Sequence, residues 1–167
     1  MTQAMEWLKA RAPGFNQLSK DERNAIADFS LLWAFFESRI LNKSGSGAAI
    51  CAAVDSWDAA GILVPNLVNE ELAYFKQRYC PDGRFTHHFD GLHLRPRDRV
   101  PMVRGVLSGA EISPRQCLAT ALIIVFRYRN NLFHGVKWEY ALADQLRNFT
   151  NANRILMKVL DRYANLP

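Results

Sequence analysis

Apolar side chains recur along much of this chain at intervals of three and four, the spacing that lines one face of an α-helix. The clearest run holds Ile26, Phe29, Leu32, Trp33, Phe36 and Ile40 and predicts a helix over residues 20–41. Ser19 and Glu22 open it as a capping box, each side chain satisfying an amide that a helix start leaves without a partner. A second long helix is predicted from Ser113-Pro114, where serine caps and proline fits the first helical position, to His134, with Gly135 as its stop. A third, over residues 138–164, carries Leu142, Leu146, Phe149, Ile155, Leu156, Val159, Leu160 and Tyr163. Shorter helices are predicted over residues 4–12, 48–60, 67–80 and 102–107, punctuated by Pro13-Gly14, the polar run from Asn42 to Gly47, Gly61 and Pro65-Asn66.

Residues 81–100 break the pattern. They hold two glycines, two prolines, three histidines and four arginines, and read as a long irregular surface loop with room for an extended piece over residues 85–94. No segment alternates apolar and polar residues for long enough to predict a strand. The reading is an all-α bundle in a single domain, residues 1–167, built on two long central helices and a C-terminal third.

Composition narrows the class. The chain is 49% hydrophobic, enough to bury a core. Its longest apolar run, residues 121–126, falls far short of the roughly 18 needed to span a bilayer, so no membrane partner is expected. The first residues lack the basic start and apolar stretch of a signal peptide. The odd number of cysteines, Cys51, Cys80 and Cys117, fits reduced thiols, and a cytoplasmic location is expected. The net charge is +5, and arginine supplies 15 of the 21 basic residues, a bias that suits bidentate contact with phosphate. Residues 42–47 contain glycines and a lysine but not in the order of a phosphate-binding loop, and read as a turn.

One constellation carries chemistry. On a helical wheel, Leu122, Val125, Phe126, Leu132 and Phe133 share a broad apolar face with Arg129 near its middle. Arg127, Asn130, Asn131 and His134 fall on another, polar side. An arginine aimed at a core needs an anion, and Glu37, at the edge of the face set by Phe29, Trp33 and Ile40, is the expected partner. His134 lies in the last helical turn, where a protonated imidazole interacts well with the helix dipole. It also titrates near neutral pH and so can exchange protons with a substrate. Arg129 can hold a phosphate, and Asn130, one turn before His134, can orient imidazole or substrate. Arg129 and His134 lie about 140° apart around the helix. Pairing two copies about a two-fold axis would bring two such ends to one cleft.

The run Arg129-Asn130-Asn131-Leu132-Phe133-His134-Gly135 resembles the R-x4-6-H motif of HEPN-domain proteins, including the polar residue after the arginine. The flanking segments 123–128 and 135–137 are similar to that motif's usual setting, and residues 32–37 resemble the acidic early helix of several HEPN groups. The resemblance covers about residues 20–41 and 114–163. It implies a HEPN-like helical bundle, often a homodimer, and a metal-independent endoribonuclease of the kind found in toxins, phage defence and RNA processing. On that analogy Arg129 and His134 are catalytic, and Asn130 and Glu37 assist. A 2′-hydroxyl would attack the adjacent phosphate, giving a 2′,3′-cyclic phosphate and a 5′-hydroxyl, with no cofactor and no metal. Some HEPN toxins carry a tyrosine two residues after the histidine, which a partner modifies. Val136 stands there in this chain, so an antitoxin of that kind is disfavoured, though an antitoxin protein of another kind remains an expected partner.

The candidate RNA contacts are Arg127 and Lys137 beside the motif, and Arg95, Arg97 and Arg99 in the loop, where Phe85 and Phe89 are interleaved. His87, His88 and His93 have the spacing of no recognisable metal site, and no Ser/His/Asp or Cys/His arrangement supports a nucleophilic hydrolase. The alternative function is a non-catalytic HEPN-like module that binds RNA, nucleotides or a protein.

Overall fold

The computed structural model describes residues 1–135 and 145–167. Among them every regular element is helical and no strand forms, as the periodicity predicts. The helices are α1 (Gln3–Arg11), α2 (Lys20–Arg39), α3 (Gly47–Ala59), α4 (Asn69–Tyr79), the single turn α5 (His87–Asp90), α6 (Val100–Ser108), α7 (Pro114–Phe133) and α8 (Leu146–Tyr163). The part of the predicted last helix before residue 145 lies outside the described residues. None of the described helices is long and apolar enough to cross a membrane.

Local chemistry sets the helix ends. Glu22 Oε2 accepts from the Ser19 amide at 2.8 Å, and Ser19 Oγ accepts from the Glu22 amide at 3.1 Å, completing the capping box. Ser113 Oγ accepts from the Gln116 amide at 3.3 Å at the head of α7. His134 caps the other end, and Gly135 follows at φ 81°, a left-handed conformation that costs glycine little.

The architecture is a sheath around one helix. From Leu118 to Tyr128 every residue of α7 is buried. α3, α4 and α6 pack on it, while α2 runs along α8 and α8 also reaches α7. Asn153 Nδ2 ties α8 to α2 by donating to the Ala25 carbonyl at 3.0 Å. At the far end of α8, Tyr163 stacks on Trp57 at 3.9 Å between ring centroids, and its hydroxyl accepts from the Val64 amide. Glu71 of α4 is fully buried, and Lys158 of α8 stands 2.9 Å from its Oε1.

Residues 81–100 are more structured than a loop. Turns at Pro81–Gly83 and Pro96–Asp98 flank α5, so the extended piece expected over residues 85–94 is replaced by a helical turn. The reason is side-chain anchoring. Phe89 and Leu92 are buried, and Arg104 of α6 lies 4.1 Å over the Phe85 ring and 5.3 Å over Phe89. His93 and Arg99 both adopt positive φ, which bends the segment back along the helices.

Inside the bundle, the hydroxyls of Tyr79 on α4 and Tyr128 on α7 form a buried hydrogen bond to each other. Burial pushes the pKa of both phenols above the usual tyrosine value. An unfolded tyrosine ionises near pH 10 and these do not, so the native state holds full stability below that pH and loses it above. Urea melts are expected to show stability falling above about pH 10, by up to roughly 1.4 kcal/mol per pH unit for each of the two groups. Tyr128→Phe should cost about 1–3 kcal/mol because it strands the Tyr79 hydroxyl. The double Phe variant should recover part of that loss and flatten the alkaline slope.

Candidate active site

The motif sits where α7 leaves the bundle. Arg129 is half-buried, and its Nη1 donates to Asn130 Oδ1 at 2.9 Å. Its guanidinium lies 5.5 Å from the Phe133 ring centroid, a ring that is itself exposed. His134 is exposed, and its amide donates to the Asn130 carbonyl at 2.9 Å. Asn130 therefore joins the two: its side chain holds the arginine and its carbonyl holds the turn that carries the histidine. Among the described residues no hydrogen bond joins Arg129 to His134 directly. The carboxyl end of a helix dipole favours cations, which suits both side chains there.

Arg129 makes no ion pair with Glu37, contrary to expectation. The ion pairs among the described residues are Arg115–Asp55, Arg127–Asp98 and Lys158–Glu71. Glu37 instead accepts from Trp33 Nε1 at 2.9 Å and from the Gly45 amide at 3.0 Å. Its backbone carbonyl accepts from the Lys43 amide at 3.0 Å. The glutamate thus closes the turn after α2, and its carboxylate is spent there. A Cβ on Gly45 would stand 2.7 Å from Glu37 Oε1, so a side chain there would push the carboxylate from its present position. Arg129 is left with a buried Nε that has no hydrogen-bond partner and, among the described residues, with no carboxylate within ion-pair distance.

The buried arginine is Arg127, not Arg129. The wheel assigns Arg127 to a polar surface, but only 4% of it is exposed, so it is no surface contact for RNA. Because α7 is enclosed, its polar side faces the 91–98 segment instead of solvent. Arg127 Nε donates to the Leu92 carbonyl at 3.2 Å, and Nη1 lies 3.5 Å from Asp98 Oδ2. Asn131 Nδ2 donates to the carbonyls of Gly91 and Leu92, each at 3.3 Å. Asp98 Oδ2 also accepts from the Arg95 amide at 2.7 Å. Burial pulls the Arg127 pKa below its ordinary value, Asp98 opposes this, and nearby Arg95 adds to it.

Arg95, Arg97 and Arg99 are exposed, as a role in RNA contact requires. Lys137 lies outside the described residues. His87 and His88 pack ring to ring at 4.1 Å while His93 is exposed further along the 81–100 segment, and among the described residues no three His, Cys, Asp or Glu side chains gather as metal ligands. Burial raises the pKa of Cys51, Cys80 and Cys117, which keeps these thiols protonated and poorly nucleophilic at neutral pH.

The Asp98 anchor of Arg127 had no signal in sequence. Its only trace was Arg127 and Asn131 standing four apart on one helix face. No protein-family model matches the chain, and no curated protein or solved structure matches it either.

Two substitutions separate these roles. Arg127→Met should destabilise the fold by about 3–5 kcal/mol in urea melts, because it leaves Asp98 charged and buried. Glu37→Ala should cost about 1–2 kcal/mol by freeing Trp33 Nε1 and the Gly45 amide, and should not alter Arg129. A Glu37→Ala protein as stable as wild type would show that the turn does not need the carboxylate.

Proposed function

We propose that this chain is a metal-independent endoribonuclease of the HEPN type, acting as a toxin or phage-defence component, with the end of α7 as its active site. The observation that carries the reading is Arg129: a guanidinium with no carboxylate partner among the described residues, held by Asn130 one turn from an exposed histidine. A cation so placed, with free N–H donors, suits a phosphodiester.

In the reaction the 2′-hydroxyl gives up its proton and the 2′-oxygen bonds to the adjacent phosphorus. The bond from phosphorus to the 5′-oxygen breaks, and that oxygen takes up a proton. His134 handles the protons, and Arg129 neutralises charge on the non-bridging oxygens as the pentacoordinate state forms. Asn130 fixes the arginine. Glu37, held in its turn, supports α2 and takes no part in proton transfer. Two copies paired about a two-fold axis would set two histidines and two arginines around one strand, dividing the base and acid roles. Exposed Arg95, Arg97 and Arg99 are then available to track the RNA backbone. An antitoxin protein covering the end of α7 would silence the enzyme.

A second reading has one observation in its favour. No hydrogen bond joins Arg129 to His134 among the described residues, and the expected carboxylate is engaged elsewhere. This suits a HEPN-like module that binds RNA, nucleotides or a protein without cutting.

Single-stranded RNA incubated with the purified protein in EDTA should yield fragments with 2′,3′-cyclic phosphate ends. His134→Ala should lower the rate by about 10²- to 10⁴-fold, and Arg129→Gln by about 10²- to 10³-fold, with circular dichroism unchanged. Equal cleavage by wild type and His134→Ala would remove the assignment, and binding with no cleavage would favour the second reading.

A further inference from the structure

One face of α2 is buried and the opposite face is not. Ala25, Phe29, Trp33 and Phe36 point into the core, and the helix lies along α8. On the other side Leu31 is 74% exposed and Phe35 43%. Single exposed apolar side chains are ordinary on a protein surface. These two lie one turn apart, which no other pair among the exposed large apolar residues of the described helices does. At about 100° per residue, Ala27 and Ala34 fall along one edge of this patch and Asp28 and Arg39 along the other. All four are exposed. The Arg39 guanidinium lies 5.9 Å from the Phe35 ring centroid, so the charged edge is in contact with the apolar centre.

The order of these residues is complementary to itself. When two copies of α2 lie antiparallel about a two-fold axis, each edge of one helix meets the same edge of the other. Leu31 of one copy can then enter the space beside Ala34 and against Phe35 of the second copy. In that register Asp28 stands opposite position 38 of the second copy, one rise of about 1.5 Å from Arg39. Symmetry repeats the pair at the other end, so two opposite-charge pairs close the apolar centre. A parallel pairing sets Asp28 against the alanine edge instead, where no cation meets it. A lipid surface, or a partner of one charge sign, would match a face of one charge sign. This edge carries both signs, in the order that its own reverse supplies.

We propose that the face of α2 bearing Leu31 and Phe35 is covered by the same face of a second copy of this chain, antiparallel, with Asp28 of each paired to Arg39 of the other. This goes beyond the cleavage reading and does not rest on it, because association is measured without RNA.

The test is sedimentation equilibrium of the full chain over a range of concentrations, which yields a monomer–dimer Kd. A dimer is expected. Leu31→Asp changes an exposed side chain, so its circular dichroism should match the wild type, while association should weaken by at least roughly 30-fold. Asp28→Arg alone and Arg39→Asp alone each set like charges opposite one another and should weaken the dimer by about tenfold or more. The double variant restores both pairs in reverse and should recover most of the wild-type Kd. Only antiparallel contact between these two positions gives that recovery. A chain that stays monomeric at its highest soluble concentration, a dimer that Leu31→Asp leaves unchanged, or no recovery in the double variant would overturn the proposal. RNA cleavage by a chain that stays monomeric would sink this interface and leave the cleavage reading standing.

Discussion

Enclosure of α7 is the constraint from which the other features follow. From residue 118 to 128 the helix presents apolar side chains in every direction, and a helix of that kind is stable only with neighbours on all sides. Each fully buried leucine, isoleucine or phenylalanine contributes about 1.5–3 kcal/mol, so α7 is the common element on which α3, α4 and α6 pack, while α8 is held mainly along α2. The same enclosure makes charge expensive. A guanidinium at residue 127 has no water to turn to, and Asp98 with the Leu92 carbonyl takes water's place. Where the sheath ends, at Arg129, the requirement lapses. Arg129 has no carboxylate partner among the described residues, as a binding group requires and a structural one does not.

The elements of the bundle were legible in the residues themselves. The three-and-four spacing of α2, the capping box at Ser19 and Glu22, and the start of α7 at Ser113-Pro114 are local signals, and local hydrogen bonds realise them. The orientation of α7 was not legible in this way. A wheel assumes one buried face, and with it Arg129 points inward and Arg127 outward. Instead Arg127 is enclosed and Arg129 only half-buried, because a helix surrounded by neighbours has no outward face until its last turn. Phe133 belongs to the apolar set by spacing, yet more than half of it is exposed, since it lies beyond the sheath.

The candidate site divides along the same line. Arg129, Asn130 and His134 are close in sequence and sit within two turns of helix, so the motif could be read directly. Glu37 required knowledge of a tertiary contact. Its i−4 partner Trp33 was within reach of helical spacing, but the approach of Gly45 depends on a turn with Asn42 and Lys43 at positive φ, which side-chain periodicity does not encode.

The segment between α5 and α6 is moored in an uncommon manner. Its carbonyls at Gly91 and Leu92 are held by the side chains of Arg127 and Asn131, not by a ladder of main-chain bonds. A main-chain ladder would survive most replacements of the residues within it. This mooring rests on the identity of two amino acids on a neighbouring helix. The turn of α5 is thus tied on one flank to α7 by side chains and on the other to α4, where the Thr86 amide and hydroxyl donate to the Tyr79 and Arg78 carbonyls.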